Sequence, residues 1–201
     1  MKKMSTLVFM LVLLTGSVFA QNMTLGDFPR PFAVARSYNN VALVVGETAT
    51  GEDTLALTSM VSEIATKVSP DSAMPTPMVA NELTDYPNWN IISVGGPCVN
   101  SVSASFLGVP YGTCGEASGI APDTATVDLK KNGENWALIV AGWGGMDTRR
   151  AGVVMANFRS AIVRGKIYGM DKIVVTGTGL EIREITIDNL QTEETNSTEN
   201  K

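Results

Sequence analysis

Hydrophobic positions along this chain follow two patterns that alternate. A short aliphatic run comes first, glycine ends it, and apolar residues then recur at three- and four-residue steps. In the first unit Val41-Ala42-Leu43-Val44-Val45 ends at Gly46, and Thr50 with Asp53 three residues on forms a helix-opening signature. Leu57, Met60, Val61, Ile64 and Val68 then share one helical face. Ser69-Pro70 closes that helix, and the stretch to Pro87, which holds Pro75 and Pro77, reads as a surface connection.

The second unit is Asn90-Ile91-Ile92-Ser93-Val94, then Gly95-Gly96-Pro97 and a short helix from about Asn100 to Leu107. Glycines and prolines between Gly108 and Asp123 indicate an irregular loop. Ala125 to Leu129 and Trp136 to Ala141 are strand-like and are joined across Asn132-Gly133, a strong hairpin-turn signal. The third unit passes through Gly142 into a helix whose face is Ala151, Val154, Met155, Phe158 and Ile162. Ile173-Val174-Val175 and Leu180 to Ile187 supply two more strands. Near-continuous apolar strands alternating with amphipathic helices predict parallel strands covered on both faces: a three-layer α/β sandwich with a mostly parallel sheet and a small antiparallel addition.

The ends of the chain follow other rules. Lys2 and Lys3, the apolar run Leu7 to Leu14 and the small-residue ending at Ala20 form a secretory signal pattern, too short to span a bilayer. No later stretch is long and apolar enough for a span. Residues 1–20 are therefore expected to be a signal peptide, 21–39 an N-terminal extension, 40–188 one α/β domain, and 189–201 a disordered acidic-polar tail. Export places Cys98 and Cys114 where disulfides persist, and pairing is the economical reading for two cysteines. Asn22-Met23-Thr24 and Asn196-Ser197-Thr198 make Asn22 and Asn196 glycosylation candidates.

Charge and composition narrow the chemistry. The formal net charge of −5 becomes −7 when Lys2 and Lys3 leave with the signal, which argues against a nucleic-acid partner. Histidine is absent, which removes His-based triads and most zinc sites. No Gly-x-Ser-x-Gly nucleophile turn occurs, although a carboxylate-only glycosidase is compatible with the residue types. Three glycine turns lie at strand ends: Gly46 to Gly51, Gly95-Gly96-Pro97, and Gly142-Trp143-Gly144-Gly145. Open α/β sheets place ligands there, yet none of the three has dinucleotide or phosphate-loop spacing, and glycine also serves tight strand-to-helix turns. No cofactor is expected. Asp147-Thr148-Arg149-Arg150 opens the third helix, where two arginines face the positive end of the helix dipole. They read either as a salt bridge to a carboxylate such as Asp147 or Glu116, or as an anion, glycan or subunit contact.

Two phrases carry a resemblance: Asn90-Ile91-Ile92-Ser93-Val94-Gly95-Gly96-Pro97-Cys98-Val99-Asn100, and Asn132-Gly133 followed by Trp136 to Gly142 and Asp147-Thr148-Arg149-Arg150-Ala151. With Asn40 to Glu47 they are similar to the archaeal S-layer protein domain, over about residues 40 to 160. The resemblance implies an extracellular, cell-surface protein with a structural, non-enzymatic task, acting by self-association or by packing with larger surface-layer proteins. The alternative is a secreted glycan- or anion-binding module that uses the glycine turns with Arg149 and Arg150.

Overall fold

The computed structural model describes residues 23–187. The expectations for the export segment, for Asn22 and Asn196 as glycosylation candidates and for the C-terminal tail lie outside them. A short hairpin, β1 (Ala33–Val34) and β2 (Ser37–Tyr38), precedes β3 (Val41–Val45). Helix α1 (Gly51–Ala65) follows: Thr50 accepts from the Asp53 N–H, and the Asp53 carboxylate accepts from the Thr50 N–H at 2.8 Å, so two orphan donors of the first turn are satisfied. β4 (Thr76–Val79), β5 (Asn90–Val94) and α2 (Ser101–Leu107) come next. The hairpin β6 (Thr124–Asn132) and β7 (Asn135–Gly142) then leads to α3 (Gly145–Ala156), α4 (Ala161–Ile167), β8 (Lys172–Thr178) and β9 (Glu181–Thr186).

Seven of these strands form one sheet in the order β4-β3-β5-β7-β6-β8-β9. β4, β3, β5 and β7 are mutually parallel, β6 is antiparallel to both β7 and β8, and β9 is antiparallel to β8. This is the mixed α/β layered architecture that the alternation predicts. Helices α1 and α3 cover one face over a core that includes Met60, Ile64, Ile92, Leu138, Val140, Val154 and Met155. On the other face α2 packs over a smaller core that includes Val44, Ile91, Val102, Ile139 and Ile120. Residues ahead of β3 contribute to the larger core: Leu25, Phe28 and Phe32 are buried, and Phe28 meets Phe158 edge-on at 4.9 Å between ring centroids.

Three local expectations change. The connection after Ser69-Pro70 contains a strand, β4, which pairs with β3 at the sheet's edge, where Pro77 needs no ladder partner on its outer side. The third helix does not run on to Ile162. It ends at Ala156, and Ser160 caps a separate α4 by accepting from the Val163 N–H. Ile162 is thereby turned outward, 79% exposed.

Close approach of α1 to α3 depends on Gly152, because a Cβ there would stand 2.7 Å from the Ala56 Cβ. Overpacking of this kind costs ~1–3 kcal/mol. Gly152→Ala is expected to lower unfolding free energy in denaturant titrations by that amount, and an unchanged midpoint contradicts the packing.

Candidate functional site

Helix connections leave adjacent parallel strands on opposite faces: β3 passes to α1, β5 to α2 on the other face, and β7 back to α3. The crevices outside the carboxyl ends of β3, β5 and β7 are therefore the topological switch points at which such sheets bind ligands. All three glycine turns sit there. They are largely filled by the protein itself. A Cβ on Gly46 would fall on the carbonyl oxygen of Val99, and one on Gly96 would approach the Gly142 oxygen to 2.8 Å. Gly142 is packed against Thr148, whose hydroxyl accepts its N–H at 3.0 Å, and Gly145 lies against Thr50. Gly95 adopts φ +113, which glycine alone takes without strain. Gly144 is the N-cap of α3 and donates its N–H to Asp147.

The polar groups near these turns are also consumed internally. The Glu47 carboxylate accepts from the Ser101 N–H and hydroxyl at the start of α2. Asn100 donates to Ser93 Oγ and to the Val94 carbonyl and accepts from the Ser103 N–H, while Ser93 and Ser103 share a hydrogen bond of 2.9 Å. Ser101 and Ser103 are thus architectural hydroxyls.

Asp147, Arg149 and Arg150 are brought together, but they do different things. Arg150 is 1% exposed. Its guanidinium contacts Asp147 Oδ1 at 2.8 Å and donates to the Gly179 carbonyl at 2.9 Å and to the Asp123 carbonyl at 3.1 Å. One cation therefore ties α3 to the β8–β9 turn and to the start of β6, and the carboxylate offsets the adverse helix dipole. Arg149 pairs with Glu52 of α1 at 2.8 Å, rather than with Glu116, and both side chains remain about a third exposed.

What stays outside is a rim. Trp143, in the turn between β7 and α3, is 37% exposed. Its backbone N–H donates to the Thr124 carbonyl at 2.9 Å, and its indole lies against Gly115, where a Cβ would be 3.6 Å from Trp143 Cη2. Gly115 follows Cys114, which is disulfide-bonded to Cys98 at the end of the β5 turn, so the pairing expected from composition is present. The exposed carboxylates Glu116 and Asp123 flank the residues that contact the tryptophan, and neither side chain has an internal partner among the described residues. Met146, in the first turn of α3, and Tyr111, in the loop after α2, are exposed as well. In the sequence Trp143 is obscured by its place inside a glycine turn; its one signal is a lone indole among three glycines. No group of three His, Cys, Asp or Glu among the described residues is placed to hold a metal. No helix of the described residues is long and apolar enough to cross a membrane.

No family model matches the chain, and no curated protein matches it. Among solved structures the chain is similar to CpGH84D, a glycoside-hydrolase-family protein, at 13% identity and a TM-score of 0.38. The likeness covers 70% of this chain, which spans about a fifth of that protein's chain (20%). The comparisons correct the expectation of an archaeal surface-layer protein with a purely structural, non-enzymatic task. The structural match is to a glycoside-hydrolase-family protein and not to a surface-layer protein. No residue role is carried over from it.

Two outcomes test the electrostatics. Arg150→Ala removes the buried Asp147 carboxylate's countercharge and the donors to the Gly179 and Asp123 carbonyls, and is expected to cost ~3 kcal/mol in chemical unfolding, whereas Arg149→Ala costs under ~1 kcal/mol. Equal small losses contradict the assignment of the anchor to Arg150.

Burial also raises the Asp128 carboxyl above its ordinary value, against the opposing pull of Lys130 at 3.2 Å and of Lys172. An acid raised in the folded state binds its proton more tightly there than in the unfolded chain, so its contribution is present at low pH and lost as pH rises. The melting temperature of the parent is expected to fall relative to Asp128→Asn as pH climbs from about 3.9 through the raised value. A pH-independent difference contradicts this.

Proposed function

We propose that this chain is the saccharide-binding domain of an exported protein, holding a neutral glycan across the carboxyl ends of β5 and β7. The observation that carries the reading is Trp143. It is a large flat apolar surface left exposed on a turn whose backbone is fixed on both sides, at the strand ends where this class of sheet takes ligands. A sugar ring presents an apolar face to such an indole and a rim of hydroxyls around it. Glu116 and Asp123, next in sequence to the Gly115 and Thr124 that contact the tryptophan, are exposed carboxylates that can accept from those hydroxyls.

A neutral ligand fits better than an anion. Arg150 is inside the protein, Arg149 is paired, and the groups left at the rim are carboxylates, so an anionic ligand would meet repulsion there. Export is supported by the signal-like first twenty residues and agrees with the Cys98–Cys114 bridge.

Calorimetric titration of the mature chain with neutral hexose and N-acetylhexosamine oligomers tests the reading. At least one should saturate a single site. Replacing an anchoring tryptophan typically removes about 2 kcal/mol or more, roughly thirtyfold in affinity, so Trp143→Ala should abolish measurable binding without lowering the melting temperature, and Trp143→Phe should retain part of it. Absence of saturation by every oligomer, or equal binding by Trp143→Ala, overturns it.

A further inference from the structure

The stretch from Pro110 to Ile120 is an arc with few ties to the rest of the fold. Among the described residues its hydrogen bonds stay inside it, as from the Thr113 N–H to the Pro110 carbonyl at 3.2 Å and from the Gly119 N–H to the Glu116 carbonyl at 3.0 Å. One leaves it. The Gly112 N–H donates to the Pro97 carbonyl at 3.0 Å, in the turn after β5. Ser118 and Ile120 are buried and anchor the far end. The Cys98–Cys114 bridge is the tie between those two points, and it adjoins Gly115, against which the Trp143 ring lies.

The two ends of the bridge differ. Cys98 is half-buried in a turn that holds itself: the Gly95 N–H donates to the Val140 carbonyl at 2.9 Å, and the Val99 and Asn100 N–H groups both donate to the Gly96 carbonyl at 3.0 Å. The Asn100 side chain adds a bond to the Val94 carbonyl at 2.9 Å. Cys114 is exposed and belongs to the arc. Opening the bridge therefore leaves the β5 side in place and frees the side that carries Gly115 and Glu116.

We propose that the Cys98–Cys114 bridge is a thiol–disulfide exchange site, entered by a dithiol reductant at Cys114, and that its reduction switches off the platform at Trp143. The effect on saccharide rests on the saccharide-binding reading of Trp143. One thiolate of the reductant attacks Cys114 Sγ, the S–S bond breaks, and Cys98 leaves as a thiolate. The second thiolate then attacks the reductant's own sulfur in the mixed disulfide and releases Cys114. Two electrons reach the bridge, the two thiol protons end on the cysteines, and the reductant leaves as a disulfide. Exposed bridges are the ones open to such exchange. With the bridge open, Gly115 no longer backs the indole, so a ligand must order the ring and the arc as it binds, and affinity falls.

Dithiothreitol added to the full mature chain without denaturant tests the exchange. Mass analysis after alkylation should find both cysteines labelled while the chain still melts cooperatively. In proton–nitrogen spectra the Trp143 indole signal should move, while those of Trp89 and Trp136, at the starts of β5 and β7, stay in place. Affinity for the neutral oligomer should drop by roughly three- to tenfold and return on reoxidation. The Cys98→Ser/Cys114→Ser variant should show the weakened affinity and ignore dithiothreitol. A bridge that resists dithiothreitol in the folded protein, a melt that loses cooperativity on reduction, or a reduced form with an unmoved Trp143 signal overturns the proposal. The indole signal also separates the two readings. If it moves on reduction and no oligomer binds either form, the saccharide reading fails and the bridge's control of Trp143 stands; if an oligomer binds both forms equally, the saccharide reading stands and the switch is overturned.

Discussion

The buried guanidinium of Arg150 is the contact on which the upper end of this molecule depends. The side chain is itself 1% exposed, so its charge and N–H groups are satisfied by the Asp147 carboxylate and the Gly179 and Asp123 carbonyls. Those partners belong to α3, to the turn between β8 and β9, and to the residue just before β6. Asp123 itself adopts φ +57, an uncommon conformation for a residue with a side chain, and its carbonyl also accepts from the Gly177 N–H. The neighbouring Thr124 carbonyl receives the Trp143 N–H. One buried cation therefore holds the segment whose Thr124 carbonyl accepts the backbone N–H of Trp143.

Backbone packing accounts for the strand-end glycines in the same way. Their absent side chains make room for Val99, for Thr148, for Thr50 and for one another, and Gly152 lets α1 and α3 come together lower in the same layer. An α/β sheet usually leaves its switch points open for a ligand; here the crevice between β3 and β5 is closed by the β5–α2 turn and by Glu47 on Ser101. The surface available for recognition is displaced outward, to Trp143 and the disulfide-held loop after α2. The same accounting moves anion recognition away from this end, because its arginines are spent.

Much of the fold was readable because its strands are buried on both faces and so read as unbroken apolar runs, and because Thr50 with Asp53 announces a helix start in four residues. β4 was hidden by Pro77 and by its edge position, where three of its four residues are exposed and no alternation is imposed. α3 and α4 were merged because Phe158 and Ile162 continue the three-to-four-residue period by coincidence; the competing signal was Ser160, a cap in the middle of the run. For the site, Asp147 as partner of Arg150 follows from sequence spacing, but the Asp123 and Gly179 carbonyls come from positions 27 and 29 residues away that only the tertiary fold unites. The phrases around Gly95-Gly96 and Asp147 to Arg150 that suggested a surface-layer domain have local packing and charge-pairing reasons in this chain, which is why they speak to architecture more than to a task.

The central claim is that Arg150 is an internal anchor and Trp143 an external platform set by it. A single series of proton–nitrogen correlation spectra on the mature protein, recorded through a neutral oligosaccharide titration, observes both side chains at once. The account predicts an Arg150 Nε–H that exchanges slowly with water and does not move, together with a Trp143 indole N–H that is open to solvent and shifts progressively to saturation. An Arg150 Nε–H that exchanges at the solvent rate, or that moves with ligand while the Trp143 signal stays fixed, contradicts it.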